Sequence, residues 1–334
     1  MEFTAGGQLE VRLTPGDVGK RVSVRRLTGD SAPGARFADV VGVLTSWHDG
    51  VLSITRKNGE TVRVDAAELV AAKVVPAAPA RRRGPAATFA ELAAVTARAW
   101  QPVESERLGG WTLRASNGFT RRANSVLPLG EPGVPTGDAL AYVRDWYARR
   151  GLPAYVQVAT GAEGTQEALG AELASYGWQL DVSAQVRIAA LAPVGDLDAG
   201  PAEADVVLAR HADAAWLSRY QRFEAPGPEV EKVLGSGPSV WFATVPGEAG
   251  QPPAAIGRCV VDGRWAGFAA VEVDPAHRRR GLASAVMAVL ARKALDEGAS
   301  AAWLQVEADN EGARALYDGM GFATHHSYHH YRTA

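Results

Sequence analysis

The chain has little of the material that builds disulfide frameworks, metal centres or membrane spans. Cys259 is its single cysteine, which excludes an internal disulfide framework and is compatible with the cytoplasm. It lies in the apolar run Ile256 to Val261, a setting for a buried thiol rather than a nucleophile. No apolar run has membrane length. Met1 to Gly7 is acidic and short of apolar residues, so no signal-peptide pattern opens the chain. The formal net charge of −2 gives no general pull toward nucleic acid. Aromatic residues are 7% of the sequence, and in the first 75 residues only Phe37 and Trp47 stand near Arg25, Arg26 and Arg36, a poor match to an RNA-stacking surface. The tail histidines His325, His326, His329 and His330 alternate between the faces of a strand and have no Cys or carboxylate at zinc spacing, so no metal is expected.

The 334 residues, 47% of them hydrophobic, suffice for two or three domains. Residues 1–75 read as short alternating strands punctuated by the turns His48-Asp49-Gly50 and Lys57-Asn58-Gly59, the pattern of a small all-β barrel of the Src-homology-3-like kind. Residues 76–87, with Pro76, Pro79, Arg81, Arg82, Arg83 and Pro85, lack periodicity and read as a linker. Beyond it Tyr155-Val156-Gln157-Val158, followed by a helix ending near Gly177-Trp178, echoes Trp303-Leu304-Gln305-Val306 and the helix ending at Gly321-Phe322. The remainder therefore reads as two α/β halves of one plan, 88–200 and 201–334.

Chemistry concentrates in the second half. Val271-Glu272-Val273 is an apolar strand that breaks at Pro275 and runs through Arg278-Arg279-Arg280-Gly281-Leu282-Ala283-Ser284 into a helix. The spacing of Leu282, Val286, Val289 and Leu290 defines that helix's buried face. Unpaired N–H groups and the dipole at a helix N-terminus bind an anion, a small residue lets a phosphate approach the backbone, and the arginines add attraction. Downstream, Asn310 reads as the cap of another helix whose buried face is Ala313, Leu316, Tyr317 and Met320. In the first half, Trp111 to Val126 reads as a hairpin turning at Asn117-Gly118, which places Arg114 across from Arg121 and Arg122, with Asn124 on the returning strand.

Arg278-x-x-Gly281-x-Ala283 after a strand, and Asn310-x-x-Ala313-x-x-Leu316-Tyr317 before Gly321-Phe322, resemble the two coenzyme A-binding segments of the GNAT superfamily of N-acyltransferases. Gly110-Trp111-Thr112-Leu113-Arg114 and Thr120-Arg121-Arg122-Ala123-Asn124 are similar to a largely actinobacterial group that joins an N-terminal barrel to a double GNAT region, some members of which are assigned as N-acetylglutamate synthases. The resemblance implies a mixed-sheet tandem GNAT fold, with a first half that no longer binds coenzyme A. It implies acetyl-CoA as cosubstrate, bound by Val271, Glu272, Val273, Arg278 to Ser284, Asn310 and Tyr317.

Acetyl transfer needs a base for the amine, polarisation of the thioester, and an acid for the departing thiolate. Tyr317 matches the family's general acid. The base is less defined, because Gln305 stands where some relatives carry glutamate, and Glu307, Glu272 or a water chain are the substitutes. The expected acceptor is a primary amine, with L-glutamate leading and Arg114, Arg121, Arg122 and Asn124 as its candidate binding residues. Other readings are acetylation of protein lysines or small amines, and a non-catalytic protein that senses acyl-CoA or binds RNA or peptide. Imidazoles of the tail either line the acceptor site or form an exposed edge. A homodimer is left open.

Overall fold

A computed structural model describes residues 11–27, 37–75, 84–198, 200–220 and 227–333. Most of the expected linker, residues 76–83, lies outside the described residues, as does Arg36. The N-terminal domain is a six-stranded sheet made of β1 (Val11–Arg12), β2 (Arg21–Leu27), β3 (Phe37–His48), β4 (Val51–Thr55), β5 (Thr61–Asp65) and β6 (Leu69–Val74), in the order β1-β6-β2-β3-β4-β5. The turn expected at Asp49-Gly50 forms: both residues have positive φ (50° and 76°) and His48 pairs with Val51, as a tight two-residue hairpin requires. Alternation buries Val22, Val24, Val40, Leu44, Leu52, Ile54 and Val64 on the inside of this small all-β domain.

The α/β region follows with α1 (Phe89–Arg98), β7 (Glu104–Leu108), β8 (Trp111–Ala115), β9 (Leu127–Pro128), α2 (Thr136–Ala148), β10 (Tyr155–Thr160), α3 (Glu167–Ser175), β11 (Trp178–Ala190) and α4 (Ala192–Gly195). After these come β12 (Val207–Ala209), α5 (Ala214–Arg219), α6 (Pro228–Leu234), β13 (Ser239–Val245), β14 (Ala255–Asp262) and β15 (Trp265–Val273). The chain closes with α7 (Leu282–Asp296), β16 (Ala301–Glu307), α8 (Glu311–Gly319) and β17 (Ala323–Thr333).

One eight-stranded sheet, β10-β17-β11-β16-β15-β14-β13-β12, runs through both halves. The units β10-α3-β11 and β16-α8-β17 exchange their last strands: β17 lies between β10 and β11, and β11 pairs antiparallel with both β16 and β17. The order β10-β17-β11-β16 reads the same when the halves are interchanged, so the repeat expected from the sequence is expressed as a pseudo-twofold relation about the β17/β11 seam. The sheet is continuous across residue 200. Cys259 is fully buried in β14, where burial pushes its thiol up to about 12. α7 packs closely on β14, for a Cβ at Gly257 would fall 2.4 Å from Val286 Cγ1.

The hairpin expected between Trp111 and Val126 is corrected. β8 pairs with β7 and, through Trp111–Pro128 and Thr112–Leu127, with the short β9, while the intervening chain loops out through a 3-10 turn at Arg121–Ala123. Asn117 and Gly118 do turn with positive φ. The returning arm is held by a side chain instead of a ladder: Asn124 Oδ1 accepts from the N–H groups of Ser116 (2.8 Å) and Gly118 (3.0 Å), and Nδ2 donates to the carbonyls of Phe119 and Thr120. A local amide that satisfies four backbone groups competes successfully with strand pairing.

Candidate active site

β15 and β16 run parallel only from Trp265–Ala301 to Phe268–Leu304. Beyond Phe268 they part. Ala270 takes a left-handed φ of 52°, and the β14–β15 register shifts between Ile256 and Arg258, the mark of a bulge that turns β15 away from β16. A cavity of about 490 Å³ opens there. Its floor is Phe268 to Glu272 of β15 and Gln305 to Glu307 of β16, and α8 contributes Asn310, Ala313 and Tyr317. The facing wall comes from the first half and the C-terminal strand, with Arg121, Arg122, Tyr155, Val182, Ala184, Tyr328 and His330. A cavity of this size, on which aromatic rings and charged and polar side chains converge, fits a small-molecule site with a polar ligand.

Next to the free end of β15 is the glycine turn. Asp274 accepts from the Ala276 N–H (2.8 Å), donates its own N–H to the Ala254 carbonyl (2.9 Å) and pairs with Arg219, which pins the turn to the sheet. The Ala276 N–H, with Arg219 and His277, holds the Asp274 carboxyl below the usual carboxylate range. Gly281 is the residue before α7 and has φ +77°, where a side chain is strained. The first amide to bond back within this helix is that of Ala285, to the Gly281 carbonyl at 2.9 Å, so the N–H groups of Leu282, Ala283 and Ser284 are left at the helix end. Arg278, Arg279 and Arg280 are exposed around it.

α8 begins as expected, with Asn310 Oδ1 accepting from the Ala313 N–H at 3.0 Å. Its Tyr317 sits against Phe322 with ring centroids 5.9 Å apart, and burial pushes the phenol up to about 12, with nearby Arg187 acting in the opposite direction. The hydroxyl therefore keeps its proton at neutral pH. Arg187, a buried residue of β11, donates to the carbonyls of Arg314 (3.0 Å) and Phe322 (2.8 Å) and pairs with Asp318. A first-half strand thus fixes the helix that carries Tyr317.

The candidate residues divide into distinct groups. Val271, Glu272, Glu307, Asn310, Tyr317, Arg121 and Arg122 all border the cavity or the strand that lines it. Val273 and Arg278 to Ser284 follow along the same β15-to-α7 connection. Arg122 stacks its guanidinium over Trp100 at 4.3 Å and donates from Nη1 to Gln305 Oε1. Arg121 pairs with Asp181 at 3.2 Å. Arg114 and Asn124 lie elsewhere. Arg114 is 5% exposed and donates to the Ser125 carbonyl (2.9 Å), Ser125 Oγ (2.8 Å) and Gln157 Oε1 (2.8 Å), while Asn124 is spent on its loop. Both act as interior braces, for Arg114 Nε and Nη2 and both amide atoms of Asn124 are matched within the protein. Reading the sequence missed Tyr155, Tyr220, Phe268 and Tyr328 at the cavity, since a tyrosine or phenylalanine in an alternating strand carries no signal that separates a lining from a core position. Among the described residues no group of His, Cys, Asp and Glu is arranged to hold a metal, and no helix is long and apolar enough to cross a membrane.

Splayed parallel strands, a glycine turn feeding a helix N-terminus, and a capped helix presenting a tyrosine to the cleft define the fold and site of the GNAT class of acetyltransferases. Solved structures agree on the fold. A GCN5-related N-acetyltransferase from Kribbella flavida superposes with a TM-score of 0.52 at 18% identity, over 75% of this chain and 96% of that one. A tandem GNAT protein from the clavulanic acid biosynthesis pathway gives 0.52 at 15% identity, over 76% and 91%. Residues 87–331 match the family model for the "Probable histone acetyltransferase Rv0428c C-terminal" region and residues 16–73 the Rv0428c N-terminal Sm-like domain. The chain belongs to this Rv0428c-type family, with an Sm-like N-terminal domain and a tandem GNAT region. Over 316 residues it is 27% identical to the probable histone acetyltransferase Rv0428c of Mycobacterium tuberculosis, covering 92% of this chain and 93% of that protein. It is 26% identical over 245 residues to the uncharacterized N-acetyltransferase YobR of Bacillus subtilis, covering 71% and 95%.

Proposed function

We propose that the protein is a cytoplasmic N-acetyltransferase that carries an acetyl group from acetyl-CoA to a primary amine, with L-glutamate the leading acceptor and arginine biosynthesis its setting. The observation that carries the reading is the cleft between β15 and β16 with the protonated Tyr317 on its rim. The N–H groups ahead of Ala285, with Arg278 to Arg280, supply the positive end that a pyrophosphate needs. Main-chain groups of Val271 and Val273, freed from β16, pair with the amide-bearing arm and polarise the thioester carbonyl. Glu272 or Glu307 takes the amine's proton, and Tyr317 returns one to the thiolate.

Arg122 supports the glutamate reading: its guanidinium is held by a ring and a neutral amide, leaving positive charge at the cavity for a carboxylate. Replacing it by Ala should raise the Michaelis constant for glutamate and leave acetyl-CoA affinity unchanged. If wild-type protein does not consume glutamate, the acceptor must be another amine. A protein lysine is the second reading. Glu272 and Glu307 on the cavity floor would suit an incoming ammonium, and the mycobacterial relative is named a probable histone acetyltransferase.

A further inference from the structure

The C-terminal strand places a histidine at the cavity for which the acetyl-transfer steps above have no use. His330 is 3% exposed, lines the cavity, and neither of its ring nitrogens has a hydrogen-bond partner. Its neighbour on β17 shows what a purely structural imidazole looks like here. His329, fully buried, meets Ser183 Oγ with Nδ1 (2.7 Å) and Thr160 Oγ1 with Nε2 (2.9 Å), so both nitrogens are matched. Adjacent strand residues point to opposite faces: His329 is turned to an interior pair of hydroxyls and His330 to the cavity. Two buried nitrogens without partners are unfavourable unless something absent from the free protein completes them.

We propose that His330 is a specificity-determining residue that hydrogen-bonds the acceptor and, with Arg122, selects among amines. The proposal rests on the acetyl-transfer reading and adds the residue that distinguishes one acceptor from another. Its ring is held edge-on to Tyr155 and Tyr328, with centroids 6.1 and 5.6 Å away, so the nitrogens are presented in a fixed direction. The groups whose charge reaches it are cationic or neutral: Arg121 and Arg122 at the cavity, Arg114 from the interior and His329 from the other face of the strand, besides the two tyrosines packed on it. Burial and these cations bring its proton affinity down to about 3, so the ring is neutral in the working range and offers one N–H and one lone pair. That suits binding a carboxylate or hydroxyl. It does not suit accepting a proton from an amine, a task left to the carboxylates of the floor.

The test is steady-state kinetics at saturating acetyl-CoA with L-glutamate, L-lysine and butylamine as probes, on wild-type, His330→Phe and His330→Gln proteins. For the acceptor that wild type uses best, His330→Phe should raise the Michaelis constant by roughly 10- to 100-fold. The acetyl-CoA dissociation constant should stay within about twofold, and the acid limb of the turnover pH profile should not move. His330→Gln, which keeps a donor and an acceptor, should recover part of the loss. A wild-type measurement covers the case in which the variants do not fold: titrating the same acceptor should move one imidazole nitrogen resonance. Unchanged acceptor constants in folded variants, equal loss of acetyl-CoA affinity, or no moving resonance each overturns the proposal. Absence of thiol release by wild type with every amine overturns the acetyl-transfer reading itself, and this proposal with it.

Discussion

Gly281→Val should weaken acetyl-CoA binding severely by breaking the turn that delivers β15 into α7. At φ +77° an L-residue is strained, at a cost of about 1–2 kcal/mol that rises for a β-branched side chain. The turn relieves that strain by moving the backbone ahead of Ala285, whose amide is the first in α7 to bond back within the helix. The N–H groups of Leu282, Ala283 and Ser284 then no longer converge. Each charge-assisted bond from such a group to a phosphate is worth about 1.5–3 kcal/mol. Losing two of them weakens affinity by about 10²- to 10⁴-fold. Isothermal titration calorimetry measures this directly, with Gly281→Ala as a milder member of the series. Arg278 to Arg280 are unchanged in the variant, so long-range attraction is preserved and the backbone term is isolated. Unchanged acetyl-CoA affinity in a folded Gly281→Val protein would refute the reasoning.

Tyr317→Phe keeps the ring against Phe322 and removes the proton donor, so turnover should fall by roughly 10²- to 10⁴-fold with little change in acetyl-CoA affinity or Tm; an intact turnover number returns Tyr317 to a packing role. Arg114→Ala leaves the Ser125 carbonyl, Ser125 Oγ and Gln157 Oε1 without their buried donor and should cost on the order of 2–4 kcal/mol in urea unfolding; unaltered stability with a raised acceptor constant would return it to the substrate site. His326, His329 and His330 are held by burial at about 3, 4 and 3, below the 6.5 of an unfolded histidine. The folded state therefore binds fewer protons than the unfolded state across this window, and stability should fall as the pH falls from about 6.5. Between pH 6.5 and 5 the loss is on the order of 1–2 kcal/mol per histidine, and a Tm that is flat from pH 7.5 to 5 contradicts it.

What could be read from the sequence was what local chemistry dictates. Gly281 reads as the small residue of a turn between a strand and a helix, where the structure adds its left-handed φ, and Asn310 caps the next helix with the spacing its side chain demands. Asp49-Gly50 closes a two-residue hairpin for the same reason. Long-range geometry was not legible. The cleft depends on Ala270, an ordinary alanine in sequence, adopting φ 52° as β15 leaves β16. The exchange of β11 and β17 between halves depends on which strands meet, and strand-helix-strand units read alike whether or not they swap partners. Arg114 and Asn124 were expected at the acceptor because a period-two hairpin puts them beside Arg121 and Arg122; the side-chain amide of Asn124 replaced that hairpin with a braced loop. Alternation separated His329 from His330, but only the sheet order tells which of them borders the cavity.

Release of free thiol from acetyl-CoA by the wild-type protein, followed with and without added amine and with recovery of the acetylated product, tests the central claim most directly. Release should be accelerated by an amine acceptor, L-glutamate first among them, with the acetyl group recovered on the acceptor nitrogen. Thiol release that is the same with glutamate, lysine, butylamine, a lysine-bearing peptide or no amine at all, from protein that binds acetyl-CoA, would contradict it.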